Sequence, residues 1–350
     1  MPTETMSPRE RWQAVLERRT PDRVPMDLWA TDEAIAKVLR HLGCDAETAL
    51  ARLHIDLPLT LTPEYVGPGR GGADYWGIES RPADYGAGVY LEAVTHPLAA
   101  YESVEEIEAN YTWPSPDWFD CSVLPRQVRG NEHRPIRGGG SEPFLVYKDL
   151  RGGQQAFMDL LVNPGIVRHC LDRMFDFHYE LTRRIFETVP GQVSITYVAE
   201  DLGAQDGLMY APEHIRAFLL PGMRRMAELT RQHGSHVFFH SDGAVRAILP
   251  DMLDIGVEVL NPVQWRCPGM ERAALKRDFG DRLVFHGGVD NQQTLPFGAA
   301  DDVREEVADN LRLLGADGGY ILAPCHNIQA VSPPENVVAL YEAGYQLGWY

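Results

Sequence analysis

Basic charge is scarce in this sequence: 32 Lys and Arg stand against 50 Asp and Glu, a formal net charge of −18. No run of Lys or Arg supplies the basic face that a binder of phosphate backbone needs, so no nucleic-acid partner is expected, and anionic membrane surfaces are disfavoured for the same reason. No uninterrupted apolar stretch reaches the ~18 residues of a membrane-spanning helix. The opening Met1-Pro2-Thr3-Glu4-Thr5-Met6 lacks the cationic-then-apolar layout of a secretion signal. Cysteine is sparse. Cys44, Cys121, Cys170, Cys267 and Cys325 are odd in number, far apart and without a Cys-x-x-Cys. That is the usage of a reducing compartment, so the expected setting is cytoplasmic and no disulfide framework is expected. No Gly-x-Gly-x-x-Gly follows an early strand, which leaves a dinucleotide-binding reading without support.

What the chain does have is globular: 44% hydrophobic and 23% charged residues over 350 positions, enough for a sizeable core without staples. Residues 8–19 read as a helix, with Ser7 as N-cap, Glu10 three positions on and Pro8 in the first turn. Val24 to Trp29 is a short strand candidate. Residues 60–135 are rich in Gly, Pro and aromatics with weak periodicity, and read as loops and an insertion over one face. From 194 onward the pattern is regular. Apolar runs at 194–199, 236–240, 257–261, 283–286 and 320–323 alternate with helical spacing at 212–233, 244–255, 269–278, 300–314 and 333–347. Five strand–helix units, with further strands near 24–29, 135–139 and 144–147, approach eight. The expectation is an α/β fold: a single (β/α)₈ TIM barrel over residues 1–350, with N-terminal helices and first strand in 1–60, the insertion in 60–135 and the barrel in 136–350.

In such barrels chemistry sits at the C-terminal ends of the strands. The polar residues concentrate there: Glu200-Asp201, His240-Ser241-Asp242, Asn261 and Gln264, His286 to Asp290, and Cys325-His326-Asn327. Residues at i and i+2 of a strand share a face, so the His240 imidazole and the Asp242 carboxylate can reach one point, and Cys325 can approach it from another strand. Nitrogen, oxygen and sulfur donors of this kind suit Zn²⁺ with a position left open for substrate. The blander readings are a backbone-bonded histidine, a turn or helix cap, and a small buried residue. Glu200 and Asp201 are candidates for a general base or a fourth ligand. His286, Asp290 and His326 are catalytic candidates, and Asn261, Gln264 and Trp29 are substrate-binding candidates.

Several segments resemble the uroporphyrinogen decarboxylase superfamily over nearly the full length. They are Glu10-Arg11-Trp12, Pro21-Asp22-Arg23-Val24-Pro25, Gly140-Ser141-Glu142-Pro143-Phe144, His240-Ser241-Asp242-Gly243, Leu260-Asn261-Pro262-Val263-Gln264, His286-Gly287-Gly288-Val289-Asp290 and Pro333-Pro334-Glu335-Asn336. The resemblance implies a (β/α)₈ barrel with its site at the C-terminal mouth. True decarboxylases of this superfamily carry an arginine-bearing motif where this chain has Met26-Asp27-Leu28-Trp29-Ala30-Thr31. Without those arginines, a chain of charge −18 is a poor host for a substrate with eight carboxylates. The other branch, cobalamin-linked methyltransferases, carries zinc at a His-x-Cys pair plus a later Cys. His240 and Cys325 match two of those positions, and Asp242 replaces the middle Cys. The resemblance therefore implies a zinc-dependent methyltransferase, with Asp242 favouring an oxygen-centred substrate such as a methyl ether. The chain shows no Asp-x-His-x-x-Gly corrinoid signature, so a partner protein would supply the corrinoid. Dimers are usual in the superfamily, so a homodimer is expected. The competing functions are a metal-free decarboxylase of a smaller carboxylated substrate, and a ligand-binding barrel without catalysis.

Overall fold

The alternating apolar runs pair as parallel strands covered by helices in the computed structural model, which describes residues 2–84, 86 and 88–350. The strands are β1 (Leu59–Thr60), β2 (Ile136–Ser141), β3 (Ile195–Val198), β4 (His236–His240), β5 (Val259–Asn261), β6 (Val284–Val289) and β7 (Tyr320–Pro324). They lie side by side in chain order, in one curled seven-stranded sheet. The helices that follow them, including Pro164–Thr188, Leu220–Gln232, Leu249–Ile255, Arg272–Phe279, Ala300–Leu314 and Pro334–Leu347, pack on its outer face.

Two expected strands come out differently. The segment from Val24 to Trp29 forms no strand. Segment 24–30 meets β7 through an isolated parallel bridge, Met26 to Leu322, and the loop beyond β7 through another, Ala30 to Ile328, while the Asp56 N–H donates to the Met26 carbonyl at 2.7 Å. Pro25 has no N–H to give, so a continuous ladder cannot run through this segment. Residues 144–147 lie in the helix Pro143–Arg151. Pro143 suits its first turn, and Phe144, Tyr147, Leu150 and Arg151 bury one side at helical spacing. The stretch 60–135 contains two short antiparallel pairs, Glu64–Tyr65 with Phe119–Asp120 and Ser80–Asp84 with Val89–Ala93.

Period-two alternation decides what faces inward. Along β4, Val237 and Phe239 join the outer core, while Phe238 joins an inner cluster with Ile195, Val259, Val284 and Ile321. The first helix, Pro8–Leu16, carries the expected Ser7–Glu10 capping box and inserts Trp12, Val15 and Leu16 into that inner cluster. It thus fills the interior beside the residues that begin the strands. Continuing the alternation toward the strand ends, Tyr197, His240, Asn261 and His286 share the inner face with that cluster. Among the described residues no helix is long and apolar enough to cross a membrane.

Candidate metal centre and cavity

Strand register brings the polar inner residues together. His240 stands opposite Asn261, and Val284 opposite Val259, so His240, Asn261 and His286 succeed one another across three strands. All three are buried, at 5%, 1% and 0% exposure, and must satisfy one another. His286 Nε2 lies 3.0 Å from Asp27 Oδ2. A carboxylate only accepts, so Nε2 carries the proton, and in a neutral ring Nδ1 is then an acceptor. It takes a hydrogen from the Asn261 amide nitrogen at 2.7 Å. This turns the Asn261 carbonyl toward His240 Nδ1 at 2.5 Å, which donates to it. The His240 Nε2 lone pair is left free, 3.8 Å from Asp201 Oδ1. A histidine held in this way, by a bond from its other nitrogen, is oriented to bind a metal. Trp29 stacks on the same ring with centroids 5.5 Å apart, and its indole N–H donates to Asp27 Oδ2 at 2.9 Å.

Donor atoms of His240, Asp242 and His326 all fall within 4.8 Å of one another. His326 Nε2 is 3.7 Å from Asp242 Oδ2, while Asp242 Oδ1 is buried with no hydrogen-bond partner among the described residues. Burial lowers the His240 pKa and raises that of Asp242, favouring the neutral form of each, and a neutral imidazole is the form that binds a metal. The loop carrying Asp242 is pinned closely. Ser241 Oγ accepts from the Leu202 and Gly203 amides, Gln264 accepts from Gly243 N at 2.7 Å, and Asp242 N donates to Asp201. Gly243, at φ +82°, has no alternative residue type: a Cβ there would sit 2.4 Å from the Ala204 carbonyl.

The other expected site residues are placed as follows. Cys325 is buried, its thiol donates to the Val263 carbonyl at 3.2 Å, and burial holds its pKa well above the usual thiol value. Its neighbour His326 takes the place in the donor group that Cys325 was expected to fill. Glu200, expected as base or ligand, accepts from Phe144 N at 2.5 Å, within the first turn of the helix Pro143–Arg151. Asp290 receives Arg266 Nε and the Gln292, Gln293 and Thr294 amides, so it organises its own turn. Asp27 and Glu142 were not expected in the site. Asp27 is the one charged residue inside the apolar segment from Val24 to Trp29, a signal the sequence offered. Glu142 has its carboxyl pushed up to about 7 by burial, then by Asp201, and by Asp242.

Beside this group opens a cavity of about 550 Å³, lined by Asp27, Trp29, Thr60, Arg137, Tyr197 and Asn327 with apolar residues between them. Trp29 and Tyr197 are shared walls: each stacks on His240, at 5.5 and 5.6 Å.

Comparison with known proteins agrees with this architecture. A uroporphyrinogen decarboxylase from Anaeromyxobacter dehalogenans is 31% identical over 217 residues, 61% of this chain and 59% of that protein. A methylcobamide:CoM methyltransferase, MtaA, from Methanosarcina barkeri is 26% identical over 210 residues, 60% of this chain and 57% of that protein. The chain thus matches a little under three fifths of the length of these curated relatives. A solved methyltransferase from Methanosarcina mazei superposes with a TM-score of 0.67 at 20% identity, covering 97% of this chain and 99% of that one, which shows a shared fold. Residues 122–347 match the family described as uroporphyrinogen decarboxylase (URO-D). With well over half its length inside that match, the chain belongs to the URO-D family.

Proposed function

We propose that this chain is a metal-dependent methyltransferase that moves a methyl group between an oxygen-bearing small molecule and a corrinoid on a separate protein. The observation that carries this is the convergence of His240 Nε2, Asp242 and His326, with a buried, unpartnered Asp242 oxygen among them. Two imidazoles and a carboxylate are competent zinc ligands, and three protein ligands leave a position for substrate. When bound, the metal would act as a Lewis acid that stabilises charge on the substrate heteroatom. Asp27, His286 and Asn261 hold the His240 ring, and Trp29 keeps it stacked. Glu142, with its carboxyl pushed up to about 7, is the group of this mouth suited to holding a proton near neutral pH. The transfer balances simply. A corrinoid, when bound, would supply the electron pair for the new bond to methyl, while the heteroatom would keep the pair of its broken bond to methyl and take up a proton. The decarboxylase relatives share the family, but of the residues lining the cavity Arg137 is the one cation, too few for a tetrapyrrole with eight carboxylates.

Elemental analysis of protein purified without an affinity tag tests the reading. One zinc per chain is expected, lost in His240→Ala and His326→Ala with the fold retained by circular dichroism. Asp242→Cys is expected to keep the metal and shift preference toward thiols. Protein that stays metal-free after zinc loading refutes the proposal.

A further inference from the structure

Arg137 stands out among the guanidinium groups near the cavity. Buried arginines elsewhere are matched to acids: Arg11 to Asp22 and Asp56, Arg23 to Asp56, Arg151 to Asp159. Arg137 lines the cavity with no acidic partner among the described residues. Its Nε donates to the Thr60 hydroxyl at 3.2 Å, and its guanidinium lies over the Tyr197 ring, 5.7 Å from the centroid. The Thr60 bond and the stacking hold the fork while its terminal N–H groups make no bond to the described residues. In a chain of charge −18, a held and unneutralised guanidinium on a cavity wall is an anion site.

Charge is distributed unevenly around the same aromatic wall. The Arg137 guanidinium lies over the Tyr197 ring, and the carboxyls of Glu142, Asp201 and Asp242 act on the same residue. An anionic group is therefore drawn to the Arg137 end of this wall. The rest of the surface includes Trp29 and Tyr197, with Leu28, Ala30, Leu57 and Pro58. Such walls suit a flat apolar body, and a cavity of about 550 Å³ is of small-molecule size.

Resting on the methyltransferase reading, we infer that the substrate is an aromatic monocarboxylate bearing a methyl ether. Its carboxylate pairs with Arg137, its ring lies along Trp29 and Tyr197, and its methoxy group is directed at His240, Asp242 and His326. The single cation selects one carboxylate and sets its orientation, so Arg137 determines specificity and takes no part in bond making.

The test is calorimetric titration of tag-free, zinc-loaded protein with 4-methoxybenzoate and with its neutral isostere 4-methoxybenzamide, zinc content being measured on the same samples. The acid is expected to bind more tightly than the amide. Losing a charge-assisted bond costs about 1.5–3 kcal/mol, so Arg137→Gln should weaken the acid roughly tenfold or more and move the amide little. Arg137→Lys should restore part of the acid's advantage, and both variants should keep the zinc. Equal binding of acid and amide, unchanged acid binding in Arg137→Gln, or no binding of 4-methoxybenzoate to zinc-replete protein overturns the inference. Those results leave the metal reading standing, whereas absence of zinc with the acid preference intact removes the metal reading and keeps the anion site.

Discussion

Replacing Asp27 with Asn probes the relay that orients His240, because the change is nearly isosteric but alters what the group can accept. In the native site both Asp27 oxygens face donors: Oδ1 takes the Leu28 N–H at 2.8 Å, and Oδ2 takes Trp29 Nε1 and His286 Nε2 at 2.9 and 3.0 Å. An asparagine must turn its NH₂ toward one of these sets. Facing Leu28, it confronts a donor with a donor and leaves a buried N–H unpaired. Facing His286, it moves that ring's proton to Nδ1, which flips the Asn261 amide and transfers the His240 proton to Nε2, where it blocks metal binding. It also still confronts the Trp29 N–H. Either arrangement costs an unsatisfied buried group, about 1–3 kcal/mol. Loss of a bond that orients a metal-binding histidine weakens the metal by about 10- to 100-fold, or roughly 1.4–2.7 kcal/mol. Competition against a chelating dye measures the affinity. Nitrogen NMR of the metal-free protein reads the His240 tautomer, which should be Nδ1–H in the native chain. A folded Asp27→Asn protein that binds zinc within about twofold of the native affinity, with the tautomer unchanged, would refute the relay as the positioning device.

Two further outcomes follow from packing and burial. Gly222 on the helix Leu220–Gln232 faces Phe175, and a Cβ there would lie 2.1 Å from the ring, so Gly222→Ala should destabilise by about 1–3 kcal/mol in a denaturant titration; an unchanged midpoint would contradict that close approach. His178 is held down to about 4 by burial and its Nε2 has no hydrogen-bond partner among the described residues. The unfolded chain therefore binds this proton first, and stability falls as pH drops from 6.5 toward 4. His178→Met should shrink the difference in Tm between neutral and mildly acidic buffer, and an identical pH dependence would count against the assignment.

Local patterns were enough for much of this molecule. Ser7, Pro8 and Glu10 announce the first helix, because a capping box satisfies backbone donors from residues a few positions apart. The apolar runs at β3 to β7 show their strands, and the residues ending those runs include His240, Asn261 and His286, since side-chain alternation is a property of the strand alone. Asp242 was legible too, two residues beyond His240. Other features depended on the assembled sheet. His326 rather than Cys325 joins the donor group because the backbone beyond β7 turns the thiol to the Val263 carbonyl, a contact 62 residues away in sequence. Glu200 is drawn off to the helix at Pro143 in the same manner. Asp27 reaches His286 across 259 residues, and Arg137 faces a cavity formed by segments from 27 to 327. Spacing along a chain reports which side chains share a face of one element, whereas a site built where several strands end is set by register and curvature between elements, and those exist only once the sheet has curled around its inner cluster.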